Sequence, residues 1–220
     1  MLDPSNVSKP DGLVFNIGLP KTGTSSLCAA LNILEIPAIH NPLKLRMQTL
    51  RGDYDLDRQG KWQAICNFGE HCYPQLDQKF PGSKFILTVR ALPEWLVSIE
   101  RQLGIGAGFL QSSIAGQRFN VLRLNDWRRA KAFYTGRRTE FRRAYARIEV
   151  FGAYEFSEDR YAFVYEEHLE RVKRYFIDRS DDLLIMNVSN GDGWEKLCAF
   201  LGRPVPKGVE FPRTVPVVSR

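Results

Sequence analysis

The sequence predicts an α/β fold, in which a central parallel sheet forms the middle layer of a three-layer sandwich. Short apolar, β-branched segments alternate with longer segments whose apolar residues recur at helical spacing. The strand segments are apolar on both faces, so helices are expected to cover the sheet on both sides. The first strand also leads through a glycine-containing loop directly into a helix, as in the opening of a βα unit.

The elements follow in order along the chain, and glycine and proline mark their ends. Strands are predicted at 13–17, 62–66, 84–90 and 183–188, and helices at 25–35, 70–80, from Pro93 onwards, at 125–150, 158–179 and 192–202. Pro37 stops the first helix, and Pro93 suits a first helical turn because its missing N–H has no partner there anyway. Asp192 is expected to cap the last helix, which Gly202 ends.

Length and composition predict one globular domain, 1–220, with 104–150 as a lid or helical insertion and 203–220 as an irregular tail. The 44% hydrophobic and 25% charged content excludes a disordered chain. No apolar run approaches the roughly 18 residues of a membrane span, and the first residues lack the pattern of a signal peptide. A cytoplasmic protein without a transmembrane segment is therefore expected.

Charge is concentrated in one segment. The chain carries a net charge of +6, and residues 125–150 alone contain eight basic and three acidic residues. This segment either borders the cleft of an anionic ligand or is a solvated helix face. No base-reading motif accompanies it, so nucleic acid is not an expected partner.

The four cysteines do not form a disulfide framework and are expected to be reduced. Cys66, His71 and Cys72 lie close together in the sequence, but no Cys-x-x-Cys pair and no fourth ligand accompany them. No metal site is expected.

The chemistry is concentrated in the segment Gly18-Leu19-Pro20-Lys21-Thr22-Gly23-Thr24-Ser25-Ser26. Backbone N–H groups between a strand and a helix N-terminus form an anion cradle, so this is a P-loop-like phosphate-binding loop. It is not a Walker A loop, because Thr24 stands where that motif requires lysine. A conventional ATPase or GTPase is therefore disfavoured.

Two motifs carry a resemblance to a known family. Pro20 to Ser25, Pro-Lys-Thr-Gly-Thr-Ser, resembles the 5′-phosphosulfate loop of sulfotransferases that use 3′-phosphoadenosine 5′-phosphosulfate (PAPS). The family also places an arginine after a central strand and a serine eight residues later, which Arg90 and Ser98 match here. The resemblance covers residues 14–98 by motif and extends more loosely to Gly202.

The resemblance implies in-line sulfuryl transfer from PAPS to a hydroxyl group, with adenosine 3′,5′-bisphosphate as product and without a metal. Lys21 would stabilise the leaving group, and Arg90 with Ser98 would hold the 3′-phosphate. The implied donor-binding residues are Pro20, Lys21, Thr22, Gly23, Thr24, Ser25, Ser26, Arg90 and Ser98.

The catalytic base is less sharply defined. In the family it lies some twenty residues before the 3′-phosphate arginine, which here indicates Glu70 or His71, with Glu70 preferred. Either side chain is able to accept a proton when suitably placed. His40 and His168 are also available for this role, and His168 is expected to be solvated because Glu166 and Glu167 precede it.

The chain also departs from the family pattern. The Arg-Lys-Gly segment that completes the 3′-phosphate site in many members is absent, and Arg203 or Arg213 would have to replace it. The acceptor is expected to be a small-molecule, sugar or lipid hydroxyl. A P-loop small-molecule kinase and a non-catalytic nucleotide-binding module remain the alternatives.

Overall fold

The computed structural model describes residues 12–56, 62–102, 147–153 and 155–213. Five strands form one sheet in the order β2-β3-β1-β4-β5. The strands are β1 (Val14–Asn16), β2 (Ala38–His40), β3 (Ala64–Cys66), β4 (Lys84–Thr88) and β5 (Leu183–Met186). Helices lie at α1 (Thr24–Ile33), α2 (Leu43–Thr49), α3 (Tyr73–Lys79), α4 (92–102), α5 (147–151), α6 (Glu158–Tyr175) and α7 (Trp194–Leu201). The predicted α/β fold is confirmed.

All strand pairs are parallel, and β1 occupies the centre of the sheet. Val14 lies opposite Ala64 of β3 on one side and Lys84 of β4 on the other. The carboxyl ends of β1, β2, β3 and β4 therefore meet at one edge of the sheet. In open α/β sheets, ligands bind at this edge.

Alternate side chains along each strand enter two hydrophobic cores, one on each face of the sheet. Val14, Ile86 and Met186 pack with α1 and α7 on one face. Phe15 and Phe85 pack with α3 and the end of α6 on the other, where Phe176 lies 5.0 Å from Phe85 between ring centroids. The central sheet is thus covered on both faces, which explains why its strands read as continuous apolar runs.

Two elements were not predicted from the sequence. The strand β2 has only three residues and lies at the edge of the sheet, and α2 begins directly after Pro42. Neither is long enough to show a hydrophobic period. They lengthen the carboxyl edge of the sheet beside β3.

The ends of the predicted helices differ from the observed ones by a few residues. The helix expected at 70–80 begins at Tyr73, next to Pro74, and the one expected to reach residue 179 ends at Tyr175. Gly202 ends α7 in the left-handed conformation, with φ of 62°, as predicted.

The predicted Asp192 cap of α7 is wrong. Gly193 is the N-cap residue and provides no side-chain hydrogen bond. The Asp192 carboxylate accepts a hydrogen bond from the Asn187 amide at 2.7 Å and pairs with Lys196 at 2.8 Å.

Two compact units divide the chain. One consists of Met1–Ala91 and His168–Arg220 and holds the sheet; the other is Leu92–Glu167. In the second unit, Phe151 stacks on Tyr161 with ring centroids 4.1 Å apart, and Trp95 lies 4.6 Å from Tyr165. The lid and basic helix expected within 104–150 lie outside the described residues except for 147–150, which are helical.

No helix in the described part of the chain has the length and apolar character needed to cross a membrane. All four cysteines are described, and each is a buried free thiol. Residues 203–213 contain neither helix nor strand.

Candidate functional site

The connection between β1 and α1 is a tight loop, residues 18–23, which we call the glycine loop. The backbone is left-handed at Lys21, with φ of 71°, and again at Gly23, with φ of 103°. The first helical hydrogen bond of α1 runs from the Leu27 amide to the Gly23 carbonyl at 3.0 Å. The amides that precede it point out of the helix end, and Gly23 has no side chain with which to cap them. This end of α1 is therefore suited to an anion.

Gly18 is required by its contact with β4. A Cβ atom at this position would lie 2.0 Å from the Thr88 hydroxyl oxygen and 2.6 Å from the Thr88 carbonyl oxygen. Because Gly18 has no side chain, the glycine loop can contact the end of β4 directly where it leaves β1. At Gly23 the space is less restricted, because a Cβ atom there would lie 3.1 Å from the Cβ atom of Val188.

A buried chain of hydrogen bonds fixes the glycine loop to the sheet. The Asn16 amide donates to the Thr88 hydroxyl at 3.0 Å, and the Thr22 hydroxyl donates to the Leu19 carbonyl at 2.7 Å. Because the Thr22 proton is already used, the 2.7 Å contact between the two threonine hydroxyls must be a donation from Thr88. Thr22 is fully buried, so its side chain shapes the loop rather than facing a ligand.

The hydroxyl groups at the start of α1 meet a histidine from β2. The Nε2 atom of His40 lies 3.0 Å from the Thr24 hydroxyl and 3.3 Å from the Ser25 hydroxyl. His40 is exposed at the end of β2, and partial desolvation of its ring lowers its pKa below the usual value. The sequence offered His40 only as a further available base and did not indicate this contact, because β2 was not recognised and the histidine could not be placed.

The other residues expected to bind the donor occupy several elements. Lys21 is half-buried in the glycine loop, and Arg90 is half-buried two residues after β4. Since β1 and β4 are neighbours, the loop and Arg90 share the carboxyl edge of the sheet. Pro20 precedes Lys21 in the loop, Ser26 is buried in the first turn of α1, and Ser98 is half-buried on α4 in the second unit.

The candidate base residues follow β3, next to the glycine loop at the same edge. The chain turns sharply there, with left-handed residues at Asn67 (φ of 54°) and Gly69 (φ of 87°). The Asn67 amide donates to the Asn16 side-chain oxygen at 3.0 Å, which ties this turn to β1. The Asn67 side-chain oxygen is buried and has no hydrogen-bond partner among the described residues.

Glu70 forms a buried ion pair. Its carboxylate accepts a hydrogen bond from Arg46 of α2 at 2.5 Å, and both side chains are almost wholly buried. Arg46 also donates to the Asn67 carbonyl at 2.9 Å. Burial alone would raise the pKa of Glu70, but the Arg46 charge and hydrogen bond, with a smaller contribution from His71, hold it below its usual value. The carboxylate of Glu70 is therefore paired with Arg46.

His71 is held in one tautomer by Thr49. The Thr49 hydroxyl donates to the Arg46 carbonyl at 3.0 Å, so its 3.2 Å contact with Nε2 of His71 requires that Nε2 carry the proton. The buried Nδ1 atom then holds the lone pair in the neutral ring. Burial lowers the pKa of His71; the negative charge of Glu70 opposes this shift, and the positive charge of Arg46 adds to it. The lowered pKa favours the neutral ring.

The prediction that His168 is solvated is wrong. The residue is 8% exposed, and its Nε2 atom donates to the Ile17 carbonyl at 2.8 Å, just before the glycine loop. Burial lowers the pKa of His168 despite that hydrogen bond and the nearby charge of Glu70. The preceding acidic residues indicated the solvated face of α6, whereas His168 lies on its buried face.

Arg203 is not placed to complete a phosphate site beside Arg90. The amino group of Lys84, the first residue of β4, lies 5.7 Å from the centroid of the Phe200 ring. The end of α7 therefore lies at the amino edge of the sheet, opposite the glycine loop, and Arg203 follows directly. Arg213 is exposed at the end of the described residues.

Comparisons with known proteins agree with this arrangement. The family model described as "Sulfotransferase domain" matches residues 13–215. The chain is also similar to "Ava biosynthesis cluster protein M" from Aspergillus versicolor, with 29% identity over 224 residues that cover 90% of this chain and 79% of the relative. The match to the family model spans the whole sheet, the glycine loop and every candidate site residue named above. The chain belongs to the sulfotransferase domain family.

Proposed function

We propose that this protein transfers a sulfuryl group from PAPS to a hydroxyl group of a small-molecule, sugar or lipid acceptor. The observation that carries the proposal is the glycine loop, which presents the N-terminus of α1 at the same sheet edge as Arg90. Such an edge offers backbone amides and a guanidinium group to a ligand that carries separate anionic groups.

The shape of the loop supports a phosphosulfate ligand. Left-handed residues such as Lys21 and Gly23 are typical of loops whose successive amides bind an anion, and the missing side chains at Gly18 and Gly23 let this loop pack against Thr88 and Val188. Gly23, Thr24 and Ser25 would hold the 5′-phosphate through their backbone N–H groups. Lys21 would neutralise the charge that develops on the oxygen bridging phosphorus and sulfur.

The 3′-phosphate would be held by Arg90 and Ser98. Arginine offers a planar fork of donors that suits a phosphate group, and a serine hydroxyl adds a further donor. Recognition of this phosphate distinguishes PAPS from ATP, which lacks it.

In the reaction, the acceptor oxygen forms a bond to sulfur while the bond from sulfur to the 5′-phosphate oxygen breaks. The acceptor hydroxyl loses its proton to a base, and adenosine 3′,5′-bisphosphate leaves. We propose His71 as this base, because it is neutral and its Nδ1 atom holds a lone pair. Glu70, which the sequence favoured, is the weaker candidate, because its pairing with Arg46 lowers its basicity.

Calorimetric titration tests the donor. Adenosine 3′,5′-bisphosphate, adenosine 5′-monophosphate and Mg-ATP would be titrated into the wild type and into Arg90→Ala and Lys21→Ala. We expect the bisphosphate to bind the wild type most tightly. Arg90→Ala should weaken its binding by about 10- to 100-fold, the range of a hydrogen bond to a charged group, and change that of the monophosphate little.

Two matched controls are available on the surface of the same unit. Arg174→Ala and Lys207→Ala each remove one exposed positive charge, so they report the effect of net charge alone. Equal weakening by Arg174→Ala and Arg90→Ala would contradict the 3′-phosphate site. Tighter binding of Mg-ATP than of the bisphosphate would contradict PAPS as donor and favour a kinase.

A further inference from the structure

His40 contacts the two hydroxyl groups at the start of α1 through a single ring nitrogen. Its Nε2 atom lies 3.0 Å from the Thr24 hydroxyl oxygen and 3.3 Å from that of Ser25. The start of β2 is tied to the other end of α1, where the Asn32 side chain donates to the Ala38 carbonyl at 3.2 Å and accepts from the Ala38 amide at 3.0 Å. On its other side β2 pairs with β3. The His40 contact adds a link from this edge strand to the turn that would hold the donor.

The protonation of this nitrogen decides how many hydroxyl hydrogens are left for a ligand. If Nε2 is unprotonated, it accepts the hydrogen of one hydroxyl, and that hydroxyl no longer donates to an anion. If Nε2 carries a proton, it donates to a hydroxyl oxygen, and both hydroxyl hydrogens point elsewhere. A bound anion at this helix end favours the second arrangement, because it attracts both hydroxyl hydrogens.

We propose that His40 is a positioning residue for the donor: its Nε2–H group holds the oxygen of Thr24, with Ser25 close by, so that both hydroxyls donate to the bound 5′-phosphosulfate. This inference rests on the proposed function and adds to it a residue that would not touch the donor itself. It extends the site by one strand, from the loop after β1 to the end of β2.

The surroundings of His40 are suited to this role. The first turn of α1 contains no acidic residue that would compete for the ring N–H. On the other side, β3 places Cys66 opposite His40, and burial raises the pKa of that thiol well above its usual value, so it remains neutral. The end of β2 is anchored separately, because the Asn41 amide donates to the Cys66 carbonyl at 2.8 Å.

A double-mutant cycle tests the proposal, with adenosine 3′,5′-bisphosphate as the titrated probe. His40→Leu removes the ring donor at a position that is not part of either core. We expect it to weaken binding by about 3- to 10-fold, the range of one hydrogen bond. In a Thr24→Ala/Ser25→Ala background, the same substitution should change binding by less than about 2-fold, because the groups through which His40 acts are gone.

His40→Gln provides the conservative comparison, because its side-chain amide retains an N–H donor near the place of Nε2. It should bind the probe within about 2-fold of the wild type. Equal losses from His40→Leu with and without the two hydroxyls, or no loss in the wild-type background, would overturn the positioning role. Failure of the wild type to bind the bisphosphate would instead overturn the proposed function on which this role rests.

Discussion

The hydroxyl oxygens of Thr22 and Thr88 lie 2.7 Å apart and join the glycine loop to the end of the central strand β4. Each hydroxyl has a single proton, and both protons are used within the chain that runs from Asn16 to the Leu19 carbonyl. The loop is therefore held in shape by the sheet before any ligand binds. A loop that is already ordered avoids the cost of ordering when it binds a ligand, which suits the anion site proposed here.

Replacing Thr88 by Val tests this link. Valine fills nearly the same volume but leaves the Thr22 hydroxyl without its donor, and it removes the Thr88 acceptor of the Asn16 side-chain amide, which keeps its hydrogen bond to the Ile86 carbonyl. The free energy of unfolding should fall by about 1–3 kcal/mol, the usual cost of leaving buried polar groups unsatisfied. Urea titration measures it, with the exposed Ser189→Ala as control. An unchanged midpoint for Thr88→Val would show that the hydroxyl chain does not hold the loop.

Gly18→Ala should abolish donor binding even where the protein still folds. The new methyl group would lie 2.0 Å from the Thr88 hydroxyl oxygen and 2.6 Å from a backbone oxygen, so the glycine loop must shift. Gly52→Ala is the matched control: its φ of 76° is unfavourable for alanine, but no atom lies within 4 Å of the added carbon. We expect that control to cost about 1 kcal/mol of stability and to leave binding of adenosine 3′,5′-bisphosphate unchanged. Tight binding by Gly18→Ala would contradict the assigned contact.

The sequence predicted the central elements well because their signals are local. An apolar strand, a loop with Gly18 and Gly23, and a helix stopped by Pro37 carry their periodicity within a few residues of one another. The position of Arg90 just after a strand was predictable for the same reason, since β4 is the longest strand of the sheet, whereas its role in binding stays a prediction.

What the sequence could not predict depends on contacts between distant residues. His40 meets Thr24 only because β2 pairs in register with β3, and β2 is too short to be recognised. Arg46 and Glu70 are 24 positions apart, and nothing in either segment indicates that they form a buried pair. His168 is buried because of the way α6 packs. Its acidic neighbours in the sequence indicate a solvated position instead.

The Arg46–Glu70 pair should make stability depend on acid. The pKa of Glu70 is lower in the folded protein than its reference value of 4.5, so its contribution is complete above that pH. The contribution is lost as the pH falls through the lowered folded pKa. Urea unfolding followed from about pH 6 to about pH 3 should therefore show a steeper loss for the wild type than for Glu70→Gln.

The same pair can be removed in two ways. Glu70→Gln leaves the Arg46 charge buried without its partner and should cost about 3–5 kcal/mol at neutral pH. Arg46→Met/Glu70→Leu removes both charges and should recover much of that loss, because apolar side chains of similar size often replace a buried ion pair with little cost. A double variant as unstable as Glu70→Gln would show that the hydrogen bond from Arg46 to the Asn67 carbonyl, rather than the pair, is the essential contact.

The assignment of His71 as base predicts a separation of turnover from binding. His71→Gln should lower the transfer of labelled sulfate from PAPS to hydroxyl acceptors by about 100-fold or more, the usual contribution of general base catalysis. It should leave the affinity for adenosine 3′,5′-bisphosphate unchanged, because the proton acceptor does not hold the donor. Wild-type turnover should fall as the pH drops through the pKa of His71, which burial places below its usual 6.5, since only the neutral ring accepts a proton.

Glu70→Gln serves as the comparison, at a temperature where it remains folded. Full activity in His71→Gln together with its loss in folded Glu70→Gln would transfer the role of base to Glu70.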